Sequence, residues 1–282
     1  QVVLSTYNQV AAMHVDPIEK KPLYHFYPGS NILSVGSIGC NLHCSFCQNW
    51  QIARCDKSAS RALHYMPVKN VVEQSLGLPD NIGIAYTYNE PVVWYEYMYD
   101  IARQAMEKGL KNVVVTNGYI NEAPLRSLME VTDAFAVDLK AFNDRFYKHL
   151  TKSSLKPVLR TIEQIHKAGK HLEITNLVIP GENDDTGEFR QMMEWLANHT
   201  DKDTPLHISR YYPAYKMDNP PTSAGKLKAF YDIARENLHH VFLGNIATED
   251  ASNTYCKSCG KRLIKRSFYE TDISGMDAQG RC

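Results

Sequence analysis

Short apolar runs rich in β-branched residues alternate along the chain with longer amphipathic stretches. The apolar runs have the length and composition of buried strands, whereas the amphipathic stretches repeat their apolar positions at helical spacing. The predicted strands are 32–35, 82–86, 112–116, 134–139, 171–178, 206–210 and 241–243, and the predicted helices are 68–76, 92–108, 123–130, 156–168, 187–198 and 222–237. This alternation of strand and helix indicates parallel βα units.

The number of units favours an incomplete barrel. A closed (β/α)8 barrel typically needs ~250 residues and eight strands. The region 31–247 holds only six units and a seventh strand. We therefore predict an α/β fold in which an open parallel (β/α)6 barrel at 31–247 follows an N-terminal extension at 1–30 and precedes a cysteine-rich tail at 248–282. An open side could admit a large substrate such as a polypeptide.

Three cysteines directly follow the first predicted strand. Cys40, Cys44 and Cys47 form a C-x3-C-x2-C triplet within the sequence GCNLHCSFCQN, and Phe46 precedes the last of them. Three thiolates can hold three irons of a [4Fe–4S] cube and leave the fourth iron open to a small molecule. An electron-transfer cluster normally takes four cysteines, so the triplet indicates a catalytic cluster.

Other roles for the triplet stay open from the residues alone. Clustered cysteines can bind zinc, although a structural zinc site needs four N or S ligands and usually takes them from separated pairs. Disulfides fit poorly, because no signal-peptide pattern is visible and seven cysteines among 282 residues are few for a disulfide-rich domain. The same observations favour the cytoplasm.

The composition gives no sign of a nucleic-acid or membrane partner. Lys and Arg together number 31, as do Asp and Glu, so the chain has no general positive field. No apolar run approaches the ~20 residues that cross a bilayer. Glycine-rich phosphate-binding loops are absent from the sequence as well. We therefore expect neither nucleic acid nor a membrane as a partner.

The cysteine sequence resembles the radical S-adenosylmethionine (SAM) enzymes, whose signature is this triplet with an aromatic residue before the last cysteine. The longer string GCNLxCxxCQN is most similar to the branch that contains the activating enzymes of pyruvate formate-lyase and other glycyl-radical enzymes. The resemblance implies the same partial barrel and a [4Fe–4S] cluster whose open iron binds the amino and carboxylate groups of SAM. It also implies reductive cleavage of SAM to a 5′-deoxyadenosyl radical that abstracts hydrogen from a substrate.

Polar residues at the ends of the predicted strands are candidate ligands, since parallel barrels carry their sites at the C-terminal ends of the strands. Asn89 and Glu90 follow the second strand, Asn117 follows the third, and Asp138 and Lys140 lie at the end of the fourth. Alternation along that strand puts the last two side chains on one face. Two charges in a barrel mouth must pair or meet a ligand, so a structural ion pair is the alternative role.

The resemblance assigns roles to some of these residues. Activating enzymes commonly have Gly-Gly-Glu-Pro after the second strand, in contact with the SAM amino group. This chain keeps only the Glu-Pro pair at 90–91, with Tyr88 and Asn89 in place of the glycines. A similar Asp-Leu-Lys sequence in those enzymes implies that Asp138 and Lys140 help to hold SAM, the lysine being suited to its carboxylate.

The next two strands carry weaker candidates. Glu173 and Asn176 interrupt the apolar fifth strand, and His207 and Arg210 interrupt the sixth. Polar residues at such positions are often hydrogen-bonded structural groups, so both a structural and a ligand role stay open. We include Asn176 and His207, together with Phe46, among the residues predicted to bind the cofactors.

A second set of cysteines lies in the tail. Cys256 and Cys259 form a C-x2-C-Gly knuckle, and Cys282 follows after 22 residues, slightly more than in a two-knuckle zinc ribbon. We predict structural zinc here, with an auxiliary iron–sulfur cluster as the alternative. Both ends of the chain are expected to be trimmed, which would put a fourth ligand after Cys282. Cys55 is expected to be a small buried residue.

Several segments together resemble the radical SAM enzymes of the AmmeMemoRadiSam system. They are 16–29, the cysteine loop, 88–91, 116–118, 137–140 and the cysteine tail. The resemblance implies an oxidoreductase similar to the pyruvate formate-lyase-activating enzymes, a protein or peptide substrate, a flavodoxin or ferredoxin as reductant, and Memo-like partner proteins. Two alternatives stay open: a true glycyl-radical activase, and a zinc-binding interaction module without redox activity.

Overall fold

The computed structural model describes residues 4–54, 63–277 and 279–282, so Cys55 lies outside the described residues. The strands are β1 (Gln9–Val10), β2 (Ala12–Pro17), β3 (Asn31–Gly36), β4 (His64–Tyr65), β5 (Asn81–Tyr86), β6 (Lys111–Thr116), β7 (Ala134–Asp138), β8 (His171–Val178), β9 (Leu206–Arg210), β10 (Val241–Gly244), β11 (Thr254–Tyr255), β12 (Arg262–Ser267) and β13 (Glu270–Asp272). The α-helices are α1 (Trp50–Ala53), α2 (Val68–Leu76), α3 (Tyr95–Glu107), α4 (Glu122–Val131), α5 (Asp144–Phe146), α6 (Leu155–Lys167), α7 (Thr186–His199) and α8 (Ala224–Arg235). Short 3-10 turns cover Ile18–Lys20 and Pro91–Trp94, and a π-helical turn covers Tyr147–Thr151.

Eight strands form one sheet in the order β10-β9-β8-β7-β6-β5-β3-β2. All neighbours pair in parallel except β2, which pairs antiparallel with β3. The helices α2, α3, α4, α6, α7 and α8 connect the successive parallel strands, which gives six βα units and a seventh strand. The predicted open (β/α)6 barrel is therefore confirmed. In the part of the chain that the structure describes, no helix has the length and apolar character needed to cross a membrane.

The two faces of the strands have different neighbours, because successive residues of a strand point to opposite sides. In β7, Phe135 and Val137 belong to the large apolar core shared with the helices. Ala134 and Ala136 face the barrel interior instead, where their small side chains leave room for other residues. Both faces are therefore buried, which explains the near-continuous apolar run of this strand.

The N-terminal segment enters the barrel. Its β2 strand pairs with β3 from Ala12 to Pro17, and the following residues Ile18, Leu23 and Phe26 pack against the small interior residues of β5, β6 and β7. We predicted residues 1–30 to be an N-terminal extension and predicted no strand within it. The pattern did not indicate β2 because an edge strand with exposed positions lacks a continuous apolar run.

A buried carboxylate holds this segment in place. Glu173 of β8 is fully buried and accepts hydrogen bonds from the backbone amides of Tyr24 (2.9 Å) and His25 (2.8 Å). Its oxygens also lie 2.9 Å from His171 Nε2 and 2.7 Å from His207 Nε2. Burial alone would raise the pKa of Glu173, but the two histidine hydrogen bonds hold it well below its ordinary value.

The tail forms a separate three-stranded antiparallel sheet of β11, β12 and β13. Buried Arg266 of β12 donates to the carbonyl of Tyr24 at 2.6 Å and to Thr254 Oγ1 at 2.9 Å. Its guanidinium lies 4.3 Å from the centre of the Tyr24 ring. Thr271 of β13 donates to Glu19 at 2.8 Å. The tail is thus attached to the N-terminal segment that fills the barrel.

We predict that Glu173→Gln lowers the free energy of unfolding by about 2–4 kcal/mol, because an amide at this buried position leaves some of the four donors without an acceptor. Urea denaturation of anaerobically purified protein measures this loss. The matched control is Glu163→Gln, which removes a partly exposed ion pair with Lys167. It should cost less than about 1 kcal/mol. Equal losses in the two variants would contradict the role of Glu173.

Candidate functional site

A cavity of about 500 Å³ opens at the C-terminal ends of the parallel strands. Its volume lies within the range of small-molecule and cofactor sites. Most of the predicted site residues line it, namely Cys40, Cys44, Cys47, Phe46, Asn89, Glu90, Asn117, Asp138 and Lys140. Strand ends far apart in the sequence thus converge here, as expected for a parallel barrel.

Backbone hydrogen bonds hold the cysteine loop against a π-helical turn. The amide of His43 donates to the carbonyl of Thr151 at 2.8 Å, and the amide of Ser45 donates to the carbonyl of Leu150 at 3.0 Å. Both carbonyls belong to the turn Tyr147–Thr151. A π-helical turn has carbonyls free for such contacts and is frequent at functional sites. The loop conformation is therefore set by a neighbouring element as well as by its own sequence.

Asparagine side chains fasten the same loop to the barrel. Asn89 donates to the carbonyl of Gly39 at 2.7 Å, and Asn117 donates to Asn41 Oδ1 at 2.8 Å. Asn41 in turn donates to the carbonyl of Tyr119 at 2.7 Å. Asn89 and Asn117, predicted as cofactor ligands, thus position the loop that carries the cysteines. The role of Asn41 was missed, because nothing in the local sequence indicates which strand end lies beside it.

The three thiols suit a soft metal centre. Burial raises the pKa of Cys40 to about 12 and also raises the pKa of Cys44 and Cys47. The nearby Lys140 ammonium acts in the opposite direction on all three. Buried thiols of this kind lose their protons when a metal replaces them. The amide of Leu42 points at Cys40 Sγ at 3.3 Å, as is common around iron–sulfur clusters.

The sequence spacing of the three thiols fits a cluster. Ligands of a cube bind different irons, and three cysteines leave one iron of the cube without a protein ligand. Phe46 lies beside them, buried, with its ring centre 5.7 Å from that of Phe146.

Two predicted cofactor ligands do not line the cavity. Asn176 faces the helices and donates to the carbonyl of Leu139 at 2.8 Å, whereas its neighbour Thr175 faces the cavity. His207 points into the interior but meets Glu173, beneath the cavity. The structure thus gives both side chains protein partners, which favours the structural role that was the alternative for them. The sequence shows that a polar residue interrupts a strand, but it does not show which face or which depth of the barrel that residue occupies.

Glu90 is a buried acid near the end of β5. It accepts hydrogen bonds from the amide of Asn117 (2.8 Å), the hydroxyl of Thr116 (2.7 Å) and the amide of Val92 (3.3 Å). Burial nevertheless raises its pKa to about 7, against the effect of these donors. The carboxyl therefore changes its charge near neutral pH. A cation bound beside it would favour the ionised form.

Asp138 and Lys140 form the predicted ion pair. Asp138 is the last residue of β7, and Lys140 follows two residues later. Lys140 Nζ lies 2.9 Å from Asp138 Oδ2, and both side chains line the cavity. Burial would lower the pKa of Lys140, but the charge of Asp138, together with that of Cys44, raises it overall. The lysine is therefore a fixed cation at the cavity wall. Its partner is 38% exposed in the side chain, so the pair is open to a ligand.

Tyr88 occupies a conformation that favours glycine. Its φ is +72°, which is unusual for a bulky residue. The hydroxyl donates to Asp16 at 2.8 Å, and Lys21, which also binds Asp16 at 2.8 Å, lies 4.9 Å from the ring centre. A Cβ at Gly36 would come within 3.0 Å of the ring, so the glycine there makes room for it. Tyr88, which stands where the resemblance implies a glycine, therefore has a backbone conformation that glycine adopts without strain.

Further residues line the cavity, and the sequence analysis gave them no site role. They include Asp16, Lys20, Lys21, Tyr88 and Tyr269. Lys20 and Lys21 lie in the segment 16–29. This segment was part of the family resemblance, but its residues were given no chemical role. Tyr269 comes from the turn between β12 and β13, and Lys20 Nζ lies 5.3 Å from its ring centre. The tail thus contributes to the cavity.

Comparisons with known sequences identify a family and relatives of this chain. Residues 35–196 match the radical SAM superfamily. An uncharacterized protein of Methanocaldococcus jannaschii is 39% identical over 275 residues, which are 97% of this chain and 81% of that protein. The pyruvate formate-lyase-activating enzyme of Clostridium pasteurianum is 24% identical over 168 residues, which are 57% of this chain and 67% of that enzyme.

Solved structures agree with the fold. A radical SAM methyltransferase from Sphaerobacter thermophilus matches with a TM-score of 0.56 and 18% identity, over 77% of this chain and 67% of that one. SuiB of Streptococcus suis bound to S-adenosylmethionine matches with a TM-score of 0.58 and 13% identity, over 76% of this chain and 52% of that one. The chain belongs to the radical SAM superfamily. Membership implies an enzyme that uses a [4Fe–4S] cluster and SAM.

We predict that Glu90→Gln raises the free energy of unfolding of the cluster-free protein by about 1–3 kcal/mol at pH ~8. The fold raises the pKa of this carboxyl to about 7. A raised pKa gives stability below the unfolded value, and that stability is lost as the pH rises through the folded value. The difference between variant and wild type should therefore grow from about pH 5 to about pH 8 in urea denaturation.

The control for this measurement is Glu122→Gln, which removes a half-exposed carboxylate 3.4 Å from Arg160. Its stability difference should change little over the same pH range. A pH-independent difference for Glu90→Gln would show that the buried carboxyl does not titrate as described.

Proposed function

We propose that this protein uses a [4Fe–4S] cluster on Cys40, Cys44 and Cys47 to cleave SAM reductively and to start hydrogen abstraction from a protein or peptide substrate. When bound, the cluster and SAM supply one electron and a 5′-deoxyadenosyl radical. The observation that carries the proposal is the single cavity in which three thiols, one buried and two half-buried, adjoin the charged pair Asp138–Lys140. Family membership supports the reaction class.

The charges of the cavity fit the amino-acid part of SAM. We assign the SAM carboxylate to Lys140, whose ammonium is held by Asp138 and stays charged. Glu90 is our candidate for the SAM ammonium, since its three donors are all uncharged and burial disfavours its ionised form until a cation is near. Asn89 and Asn117 hold the cysteine loop in position relative to Lys140 and Glu90.

The part of the cavity lined by the N-terminal segment, Tyr88 and the tail is our proposed substrate region. Asp16, Lys20, Lys21 and Tyr88 provide polar and aromatic surface there, and Tyr269 of the tail adds a second ring. The barrel is open between β2 and β10, which do not pair. This opening could admit a polypeptide segment. The walls would then hold the target C–H bond beside the bound cofactors and limit access of water, because proximity dominates such a transfer.

A protein substrate is also supported by names of relatives. The chain is similar to proteins called pyruvate formate-lyase-activating enzyme and benzylsuccinate synthase activating enzyme, at 24% identity over 57% and 42% of its length. By the same analogy we propose flavodoxin or ferredoxin as the reductant and a Memo-like protein as a partner. Gene neighbours would test the last assignment directly.

The second candidate function is a true glycyl-radical activase. The names of the relatives favour it, whereas Tyr88 and Asn89 in place of two glycines favour a different substrate. Incubation with a glycyl-radical enzyme, SAM and reductant separates the two, since only an activase leaves a glycyl radical signal in electron paramagnetic resonance. A zinc-binding module without redox activity agrees less well with membership in an enzyme superfamily.

We predict that Cys44→Ala abolishes SAM cleavage, as Cys40→Ala or Cys47→Ala should, because two thiolates do not hold the cluster with its open iron. The measurement is 5′-deoxyadenosine released after dithionite reduction of the anaerobically reconstituted protein. Ser45→Ala on the same loop is the control and should keep both iron and activity, since it removes no thiol and keeps the backbone hydrogen bonds of Ser45. Wild-type turnover in the triple alanine variant would disprove the proposed function.

We predict that Lys140→Ala weakens SAM binding about 10–100-fold while leaving the iron content unchanged. The lost charge-assisted hydrogen bond is worth about 1.5–3 kcal/mol. Equilibrium binding of SAM to the reconstituted protein measures the change. Lys111→Ala removes a similar lysine, paired with Asp133 at 3.2 Å near the opposite ends of the strands. It should leave affinity unaltered, and equal affinities in all three proteins would make Asp138–Lys140 a purely structural pair.

A further inference from the structure

The tail contains a cysteine cluster that the proposed radical chemistry does not use. Cys282 Sγ lies 3.5 Å from Cys256 Sγ and 4.0 Å from Cys259 Sγ, and all three sulfurs lie within 4.8 Å of one another. Thiolates bound to a tetrahedral zinc at Zn–S ≈ 2.3 Å are ~3.8 Å apart. The observed separations therefore match three corners of one zinc tetrahedron.

The backbone brings the first two thiols together. The amide of Cys256 donates to the carbonyl of Lys261 at 2.8 Å, and the amide of Gly260 donates back to the carbonyl of Cys256 at 2.9 Å. Gly260 has φ +73°, a conformation that glycine adopts without strain. This closed turn is formed by local hydrogen bonds, so the first half of the cluster does not depend on the position of Cys282.

We propose that Cys256, Cys259 and Cys282 bind one structural zinc ion and supply three of its four ligands. Three convergent thiols favour a soft or borderline metal over magnesium or calcium, which prefer oxygen. A disulfide needs an S–S distance of about 2.05 Å, far below either separation. Cys282 also lies near both other sulfurs, as a shared ion requires. Within the described ranges no further His, Cys, Asp or Glu joins the cluster.

Nearby cationic side chains can balance the negative charge of such a zinc site. Three thiolates on Zn²⁺ leave one net negative charge, and the knuckle itself contains Lys257 and Lys261, followed by Arg262. Lys257 also forms an ion pair with Asp203, in the loop before β9. The pair links the knuckle to the barrel wall. A metal here would therefore hold the tail sheet at a defined place and would not be an isolated surface ion.

The zinc would connect the tail to the cavity. It would join the β11–β12 turn to the chain that follows β13, and these two segments enclose β12 with its buried Arg266. The β12–β13 turn between them carries Tyr269, which lines the cavity. We therefore assign the metal a positioning role, in which it keeps Tyr269 at the cavity wall.

Zinc and iron analysis of the full anaerobically purified chain tests the site. We expect one zinc per chain in the wild type and in Ser258→Ala, which changes the knuckle without removing a thiol. The Cys256→Ser/Cys259→Ser double variant should lose at least about nine-tenths of its zinc, because one remaining thiolate binds weakly. Zinc retained in that variant, or iron and no zinc in the wild type, overturns the proposal.

A second measurement does not require a variant that folds. X-ray absorption at the zinc edge of the wild type should show three or four sulfurs at about 2.3 Å. Only nitrogen and oxygen neighbours would overturn the assignment. The triple variant Cys40→Ala/Cys44→Ala/Cys47→Ala should keep its zinc, and loss of zinc there would mean that the metal was bound by the barrel cysteines.

The positioning role has its own readout. Removal of zinc by a chelator should accelerate amide hydrogen exchange in 254–272 of the full chain, whereas exchange in β6 and β7 should stay unchanged. Unaltered exchange in the tail would overturn the positioning role even if zinc is bound. The outcome does not depend on SAM cleavage, so failure of this proposal and failure of the proposed function are distinguishable.

Discussion

The burial of the Glu173 carboxylate is the constraint on which the lower part of this barrel depends. A charge inside a barrel is costly unless donors surround it, and here two histidines and two backbone amides do so. The amides belong to Tyr24 and His25, so satisfying the charge requires that the N-terminal segment enter the barrel. That segment then fills the interior beneath the cavity and provides the surface on which Arg266 and the tail pack. The cavity at the C-terminal strand ends follows from this filling.

The hydrogen-bond partners of a second buried acid, Glu90, distinguish it from the structural carboxylate Glu173. Both Glu173 and Glu90 are buried and accept several hydrogen bonds, yet the pKa of the first is held low and that of the second is raised to about 7. The two pKa values differ because the hydrogen-bond partners differ. Glu173 is hydrogen-bonded to two imidazoles, whereas Glu90 accepts hydrogen bonds only from a hydroxyl and amides. The negative charge of Asp138 raises the pKa of Glu90 further. Glu173 has four hydrogen-bond partners within the protein. Among the residues that the structure describes, no cation pairs with Glu90, which lines the cavity where a cationic ligand can bind.

The parts of the fold that the sequence predicts are those governed by local pattern. The seven parallel strands agree with their predicted bounds within one residue, because strands buried on both faces are continuous apolar runs. The convergence of cysteines, Glu90, Asp138 and Lys140 follows from strand order alone. The placement of Asn176 and His207 does not, since it depends on what occupies the interior. The amides that meet Glu173 lie 149 and 148 residues before it in the chain, so no local pattern contains that information.

The strained backbone of Tyr88 bears on the width of the cavity and therefore on substrate specificity. The fold keeps a left-handed backbone there, as a glycine would adopt, and a tyrosine in that conformation costs on the order of 1–3 kcal/mol. Such a cost persists only where surrounding contacts fix the residue, and here Asp16, Lys21 and the space left by Gly36 do so. Tyr88 lines the same cavity as the thiols. A chain with glycine at this position would have a wider cavity there, so the tyrosine narrows the region that we assign to the substrate without altering the groups that we assign to the cofactors.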